Sequence, residues 1–165
     1  LRDSATEAQV ADIIRRVIPL LRSHGYSIDA WILNEEDVAF TEEVFGEHID
    51  RLLVLRTHDD ILQAAKGVRF TVCTRLHAAV FSVTCCIPTV LLAYRDKCLD
   101  FMETVGLQDS CVDLMESDCV DQALRQIQLH FEDQYLVDCR TELMSRSSIL
   151  KNSVMAAITS VVSSK

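Results

Sequence analysis

Val10, Ile13, Ile14, Val17, Leu20 and Leu21 recur at three- and four-residue steps, the spacing of one helix face. Ser4 and Glu7 stand ahead of that run as an S-x-x-E capping box, and Gly25 closes it. Pro19, inside the run, predicts a kink or a new turn. The pattern then changes period. "YSIDAWIL" predicts a short strand near 27–33, and residues 35–46 a helix ending at Gly46. "RLLVL" at 51–55 reads as a buried strand. "HDDILQAAKG" at 58–67 reads as a short helix with an acidic first turn and Gly67 as its stop. Further strands are predicted at 68–73, 87–94 and 111–114, with helices at about 75–85 and 96–105, the latter ended by Gly106. From Glu116 onward strand signals, Gly and Pro are all missing, which predicts two helices, roughly 117–131 and 133–162.

Strands alternating with helices indicate βαβ units and a parallel sheet. The expected fold is α/β: a Rossmann-like parallel sheet flanked by helices, with a helical C-terminal tail. Residues 1–115 are expected to form the α/β unit with its first strand truncated, and 116–165 to pack on it as helices. No GxGxxG or GxxxxGK[ST] occurs, so dinucleotide and P-loop chemistry find no support.

The chain has 165 residues and is 49% hydrophobic, enough for one real core. Its 16 Lys and Arg against 25 Asp and Glu give a net charge of −9, which argues against nucleic acid as a partner. No apolar run is long enough to span a bilayer, and the acidic, polar start is not a signal peptide. Seven cysteines without a CxxC pair read as reduced core thiols. They point to a reducing compartment. The expected location is the cytoplasm; for a eukaryotic chain the Golgi lumen is the alternative. The opening "LR" reads as the end of a cut strand, hence as part of a longer protein.

Against this acidic background one stretch stands out. "FTVCTRLHAAVF" at 70–81 sets Thr74, Arg75 and His77 between two apolar halves. Unpaired buried charge is expensive, so these groups sit at an opening or are paired. Ligands of open parallel sheets bind outside the strands' carboxyl ends, where Thr74 can cap the following helix and where helix N–H groups attract anions. The next strand ends at Tyr94, Arg95 and Lys97. Arg75, His77, Arg95 and Lys97 together suggest a phosphate or carboxylate ligand. An ion pair would equally explain Arg75, and simple solvation Lys97.

"CTRLHAAVFSVTCCIPTVLLAYRDKCLDFMETVGL" at 73–107 resembles the C-terminal domain of polysaccharide pyruvyl transferases. The shared features are the R-x-H of Arg75 and His77 at a helix start, the I-P-x-V strand from Ile87 to Val90, and Tyr94-x-x-Lys97 followed by Phe101. Cys86 takes a place where Gly is usual, and Asp96 one where Pro is common. The resemblance implies one half of a glycosyltransferase-B-like, two-domain enzyme of exopolysaccharide or cell-envelope synthesis. Phosphoenolpyruvate would be the donor substrate, a sugar or glycan the acceptor, and a missing N-terminal domain of the same chain the other half. It implies no cofactor and no metal. Arg75 would bind the donor's phosphate or carboxylate and Lys97 would neutralise the phosphate, while His77 would act as general acid. Two alternatives stay open: the donor-binding half of a nucleotide-sugar glycosyltransferase, and a non-catalytic α/β module.

Overall fold

The computed structural model describes residues 4–147. Its elements are α1 (Ser4–Ser23), β1 (Asp29–Ile32), α2 (Asp37–Phe45), β2 (Arg51–Val54), α3 (His58–Ala64), β3 (Thr71–Cys73), α4 (Leu76–Thr84), β4 (Thr89–Ala93), α5 (Asp96–Thr104), β5 (Cys111–Asp113) and α6 (Cys119–Leu129). A last helix, α7, covers 133–147. The expected continuation of α7 to 162 lies outside the described residues, and so does the Ser4 side chain that the capping box needs.

Strands alternate with helices and every pairing is parallel, as the periodicity predicts. The described strands form two sheets rather than one: β1 with β2, and β3–β4–β5 in that order. Smaller departures have local causes. α1 runs through Pro19 to Ser23, so the proline starts no new element. Gly46 is right-handed (φ −52°), and the chain passes through it into a 3-10 turn at Gly46–His48. β2 is not buried; Arg51 is exposed and the rest half-covered, because β2 lies at the edge of its sheet. β3 begins at Thr71, not at 68.

The core is organised around β4, whose five residues are all buried. Val90 and Leu92 face one cluster, with Val10, Ile13 and Val17 of α1 and Ala123 and Ile127 of α6. Leu91 and Ala93 face the other, with Ala79 of α4, Cys98 and Met102 of α5 and Leu143 of α7. Strict alternation of neighbours along β4 therefore places α1 and α6 on one face of the sheet and α4, α5 and α7 on the other. α7 is fastened to that second face by two arginines. Arg140 donates to the Val68 carbonyl at 2.8 Å, and Arg146 to the Val105 carbonyl at 2.7 Å.

Three helices end alike. Gly25 N–H donates to Arg22 O and Tyr26 N–H to Leu21 O, the Schellman arrangement, with Gly25 at φ +76°. Gly106 repeats it at the end of α5 with φ +68°. At the end of α4 the left-handed residue is Cys86, φ +54°, with Cys86 N–H to Val83 O and Ile87 N–H to Ser82 O. The position where the family resemblance expects Gly is thus one that favours Gly physically. Its Cβ costs about 1–2 kcal/mol there, against the ~0.5–1 kcal/mol of backbone entropy that Gly would lose. Of the pair Cys86→Ala and Cys86→Gly, both of which lose the thiol, the Gly variant should be the more stable by about 0.5–1 kcal/mol in urea unfolding.

His130, at the end of α6, is fully buried between Phe70 and Tyr135. Its Nδ1 lies 2.8 Å from the Gln126 carbonyl, and its Nε2 has no partner among the described residues. Burial holds its pKa below the ordinary 6.5, opposed by the bond to Gln126. The unfolded chain therefore takes up this proton first as pH falls. The stability tied to neutral His130 is complete above about pH 6.5 and is lost below it, at up to ~1.36 kcal/mol per pH unit. Urea midpoints measured from pH 7.5 to 5 should show this acid limb, and His130→Gln should lack it.

Candidate functional site

The sequence-predicted residues lie where the adjacent parallel strands β3 and β4 end. Cys73 is level with Leu91 in the register, which sets Arg75 level with Ala93. Arg75, after a bend at Thr74, occupies the N-cap of α4 in extended backbone (φ −122°, ψ 138°). The N-cap position is therefore Arg75's and not Thr74's as expected from the sequence, and the Arg75 side chain makes no capping hydrogen bond. α5 begins the same way, with Arg95 as its N-cap (φ −155°, ψ 147°) and no side-chain cap. Two neighbouring helices thus present their first N–H groups, a field favourable to anions, on one edge of the sheet.

The cations distribute themselves unequally on that edge. His77, Arg95 and Lys97 are exposed. Tyr94 is half-buried against the α1 side of the core, and the Arg95 guanidinium lies 5.3 Å from its ring. Arg75 behaves differently: it reaches across to α2 and forms a two-pronged ion pair with Asp37. Its Nη2 donates to Asp37 Oδ1 at 2.5 Å and its Nε to Oδ2. Hydrogen bonding to Asp37 holds the Arg75 guanidinium above its ordinary pKa, against the opposing effect of burial. Two of the five guanidinium N–H groups are used in this way. The Nη1 end, with the second Nη2 proton, has no hydrogen-bond partner among the described residues.

Asp37 is the residue that sequence reasoning missed. The signal was present: Glu35, Glu36 and Asp37 form an acidic run directly after β1, and parallel strands finish on a common edge. The same run holds a second arginine, since Arg56, following β2, donates to Glu35 at 2.7 Å in the open. What the sequence leaves unpaired is which acid takes which arginine.

A cleft of about 610 Å³ opens between the two sheets, with Asp37, Thr74 and Arg75 at the end nearest the strand carboxyl termini. His77, Tyr94, Arg95 and Lys97 do not line it. All seven cysteines are free thiols, and burial raises the pKa of Cys73, Cys85, Cys98, Cys119 and Cys139 and pushes Cys111 up to about 12. Among the described residues no three His, Cys, Asp or Glu side chains gather as metal ligands, and no helix is long and apolar enough to cross a membrane.

Both partners of the Arg75–Asp37 pair keep a quarter to a third of their side-chain surface in water, so the pair is screened. A double-mutant cycle of Arg75→Ala and Asp37→Ala should give a coupling of about 1 kcal/mol in urea unfolding. Additive single effects would mean that the pair contributes nothing to stability.

The family model for polysaccharide pyruvyl transferases matches residues 2–96. The matched stretch includes Arg75, His77, Tyr94 and Arg95 and stops one residue short of Lys97. No curated protein and no solved structure matches the chain. The match spans more than half of the 165 residues, and the chain belongs to the polysaccharide pyruvyl transferase family.

Proposed function

We propose that the chain is the donor-binding half of a glycosyltransferase-B-like pyruvyl transferase that moves pyruvate from phosphoenolpyruvate to two hydroxyls of a sugar, forming a cyclic ketal. An acceptor-binding domain of the same polypeptide would complete the active site, so residues 1–165 alone would be inactive. The observation that carries this reading is the edge built by β3 and β4. Two helix N-termini whose N-cap arginines make no capping bond lie side by side there with His77, Arg95 and Lys97 exposed, within a chain of net charge −9, and the family match covers His77 and Arg95.

In this reading each residue has a defined task. Asp37 orients Arg75 and leaves its Nη1 end for the donor's phosphate or carboxylate. The N–H groups after Thr74 and Arg75 add to that anion site, while Lys97 neutralises phosphate, with Arg95 and Tyr94 beside it. His77 gives its proton to the methylene carbon of phosphoenolpyruvate, which becomes a methyl group and leaves the adjacent carbon cationic. A sugar hydroxyl attacks that carbon, the carbon–oxygen bond to phosphate breaks, and phosphate departs. The second hydroxyl then closes the ketal. One hydroxyl proton returns to the imidazole and the other leaves with phosphate.

A nucleotide-sugar donor would demand affinity for a nucleoside diphosphate instead. The Arg75–Asp37 pair also fits a purely structural arginine, and the experiment separates these readings. In the full-length enzyme, His77→Ala should lower kcat at least ~100-fold with little change in phosphoenolpyruvate affinity, as expected for loss of a general acid. Lys97→Ala should instead weaken donor binding about tenfold. Unchanged turnover in His77→Ala, or binding of nucleoside diphosphate but not phosphoenolpyruvate, would overturn the assignment.

A further inference from the structure

The cleft between the sheets has side walls of an unusual kind. β1 and its flanks contribute the unbroken run 27–33, and β3 with its flanks the run 66–75. A strand face lines a cavity with alternate residues, whereas a strand edge lines it with every residue. The cleft is therefore bounded by two strand edges. The bonds on the far side of each strand fix what turns inward. Leu55 N–H donates to Ile32 O and Asp50 N–H to Ile28 O, so the even residues of β1 serve β2 and the backbone of Trp31 turns into the cleft. Thr71 N–H donates to Pro88 O, so Thr71 and Cys73 serve β4 and the backbone of Val72 turns inward. Among the described residues no strand pairs with either edge. α1 covers the cleft on one side with Val10, Ile14 and Val17, and α4 on the opposite side with Ala78 and Ser82.

We propose that this cleft seats one parallel β-strand, supplied by the polypeptide that leads into α1 from its N-terminal side. Connectivity selects that source. α1 runs under the cleft and feeds, through Gly25, the amino end of β1, which is one of the cleft's own walls. The opposite end of α1 therefore lies at the carboxyl edge, where a strand seated in the cleft would finish. Such a strand, α1 and β1 make one right-handed βαβ unit with adjacent parallel strands. Helices cover both faces, so the strand is apolar on both, and roughly five residues match the length of its neighbours. The order becomes β2–β1–strand–β3–β4–β5, joining the two sheets into one. The direction of winding reverses between the new strand and β3. Thr74 and Arg75 then stand at the topological switch point, where open α/β sheets bind ligands. The inference is independent of the pyruvyl-transfer reading.

The test compares three chains: residues 1–165, the same chain with Val-Ile-Val-Ile-Val joined to Leu1, and a control whose added second and fourth residues are Pro, which cannot donate to a ladder. Amide exchange by NMR and light scattering are the readouts. In the strand-bearing chain, which stays monomeric, the amides of Trp31 and Val72 should exchange about tenfold or more slowly than in the Pro control. If the control does not fold, the expected result is a cooperative thermal transition in the strand-bearing chain alone. Equal exchange in both chains, or no transition in either, would overturn the proposal. So would a dimer of the unextended chain with Trp31 and Val72 already protected, which would assign the cleft to a second copy.

Discussion

A parallel strand covered by helices on both faces has no position where a polar side chain can reach water, and β4 is built to that constraint. Val90, Leu91, Leu92 and Ala93 are wholly inaccessible and Thr89 nearly so. Each large side chain among them contributes about 1.5–3 kcal/mol of burial, and successive side chains are committed to opposite helix layers. β3 and β5 take their register from β4, α1 and α6 pack on its even side chains, and α4, α5 and α7 on its odd ones. The edge that carries Arg75, Arg95 and Lys97 is thus a by-product of the core: it lies where two neighbouring strands run out of apolar residues together.

The contrast between Arg75 and its neighbours shows how that edge is balanced. A guanidinium at a helix N-terminus opposes the helix dipole. Arg75 resolves the conflict by leaving the helix axis for Asp37, which stands at the start of α2 where a carboxylate is favoured. Arg95 and Lys97 resolve it by remaining in water. One position is thereby immobilised while Lys97 stays open to solvent, the division a binding edge needs if it is to be oriented and accessible at once.

Much of this was legible in the residues. Period, together with the stops at Gly25, Gly67 and Gly106, locates nearly every helix and strand, because helix termination by a left-handed residue is a local event. Cys86 escaped that reading since its left-handed backbone is imposed by packing at the α4–β4 turn, not by its own preference. The edge character of β2 escaped as well: "RLLV" is apolar whether or not a further strand covers it. At the site, Thr74, Arg75 and His77 could be found from their break in an apolar run. Asp37 could not be assigned to Arg75, because 38 residues separate them and three acids compete. Contacts between distant segments depend on which strands become neighbours, and no local pattern encodes that.

The arginine links of α7 bear on the order in which the protein is made. Arg140 secures the carbonyls of Val68 and Arg69 from 72 and 71 residues downstream. Arg146 satisfies an orphan carbonyl at the end of α5 from 41 residues downstream. During synthesis the β3 entry loop and the last turn of α5 leave the ribosome long before the residues that secure them. At about 5–20 residues per second this is an interval of several seconds. Through it the β3 entry loop and the end of α5 stand without the side chains that later secure them, so this stretch of the nascent chain is the one that stands to gain most from a chaperone.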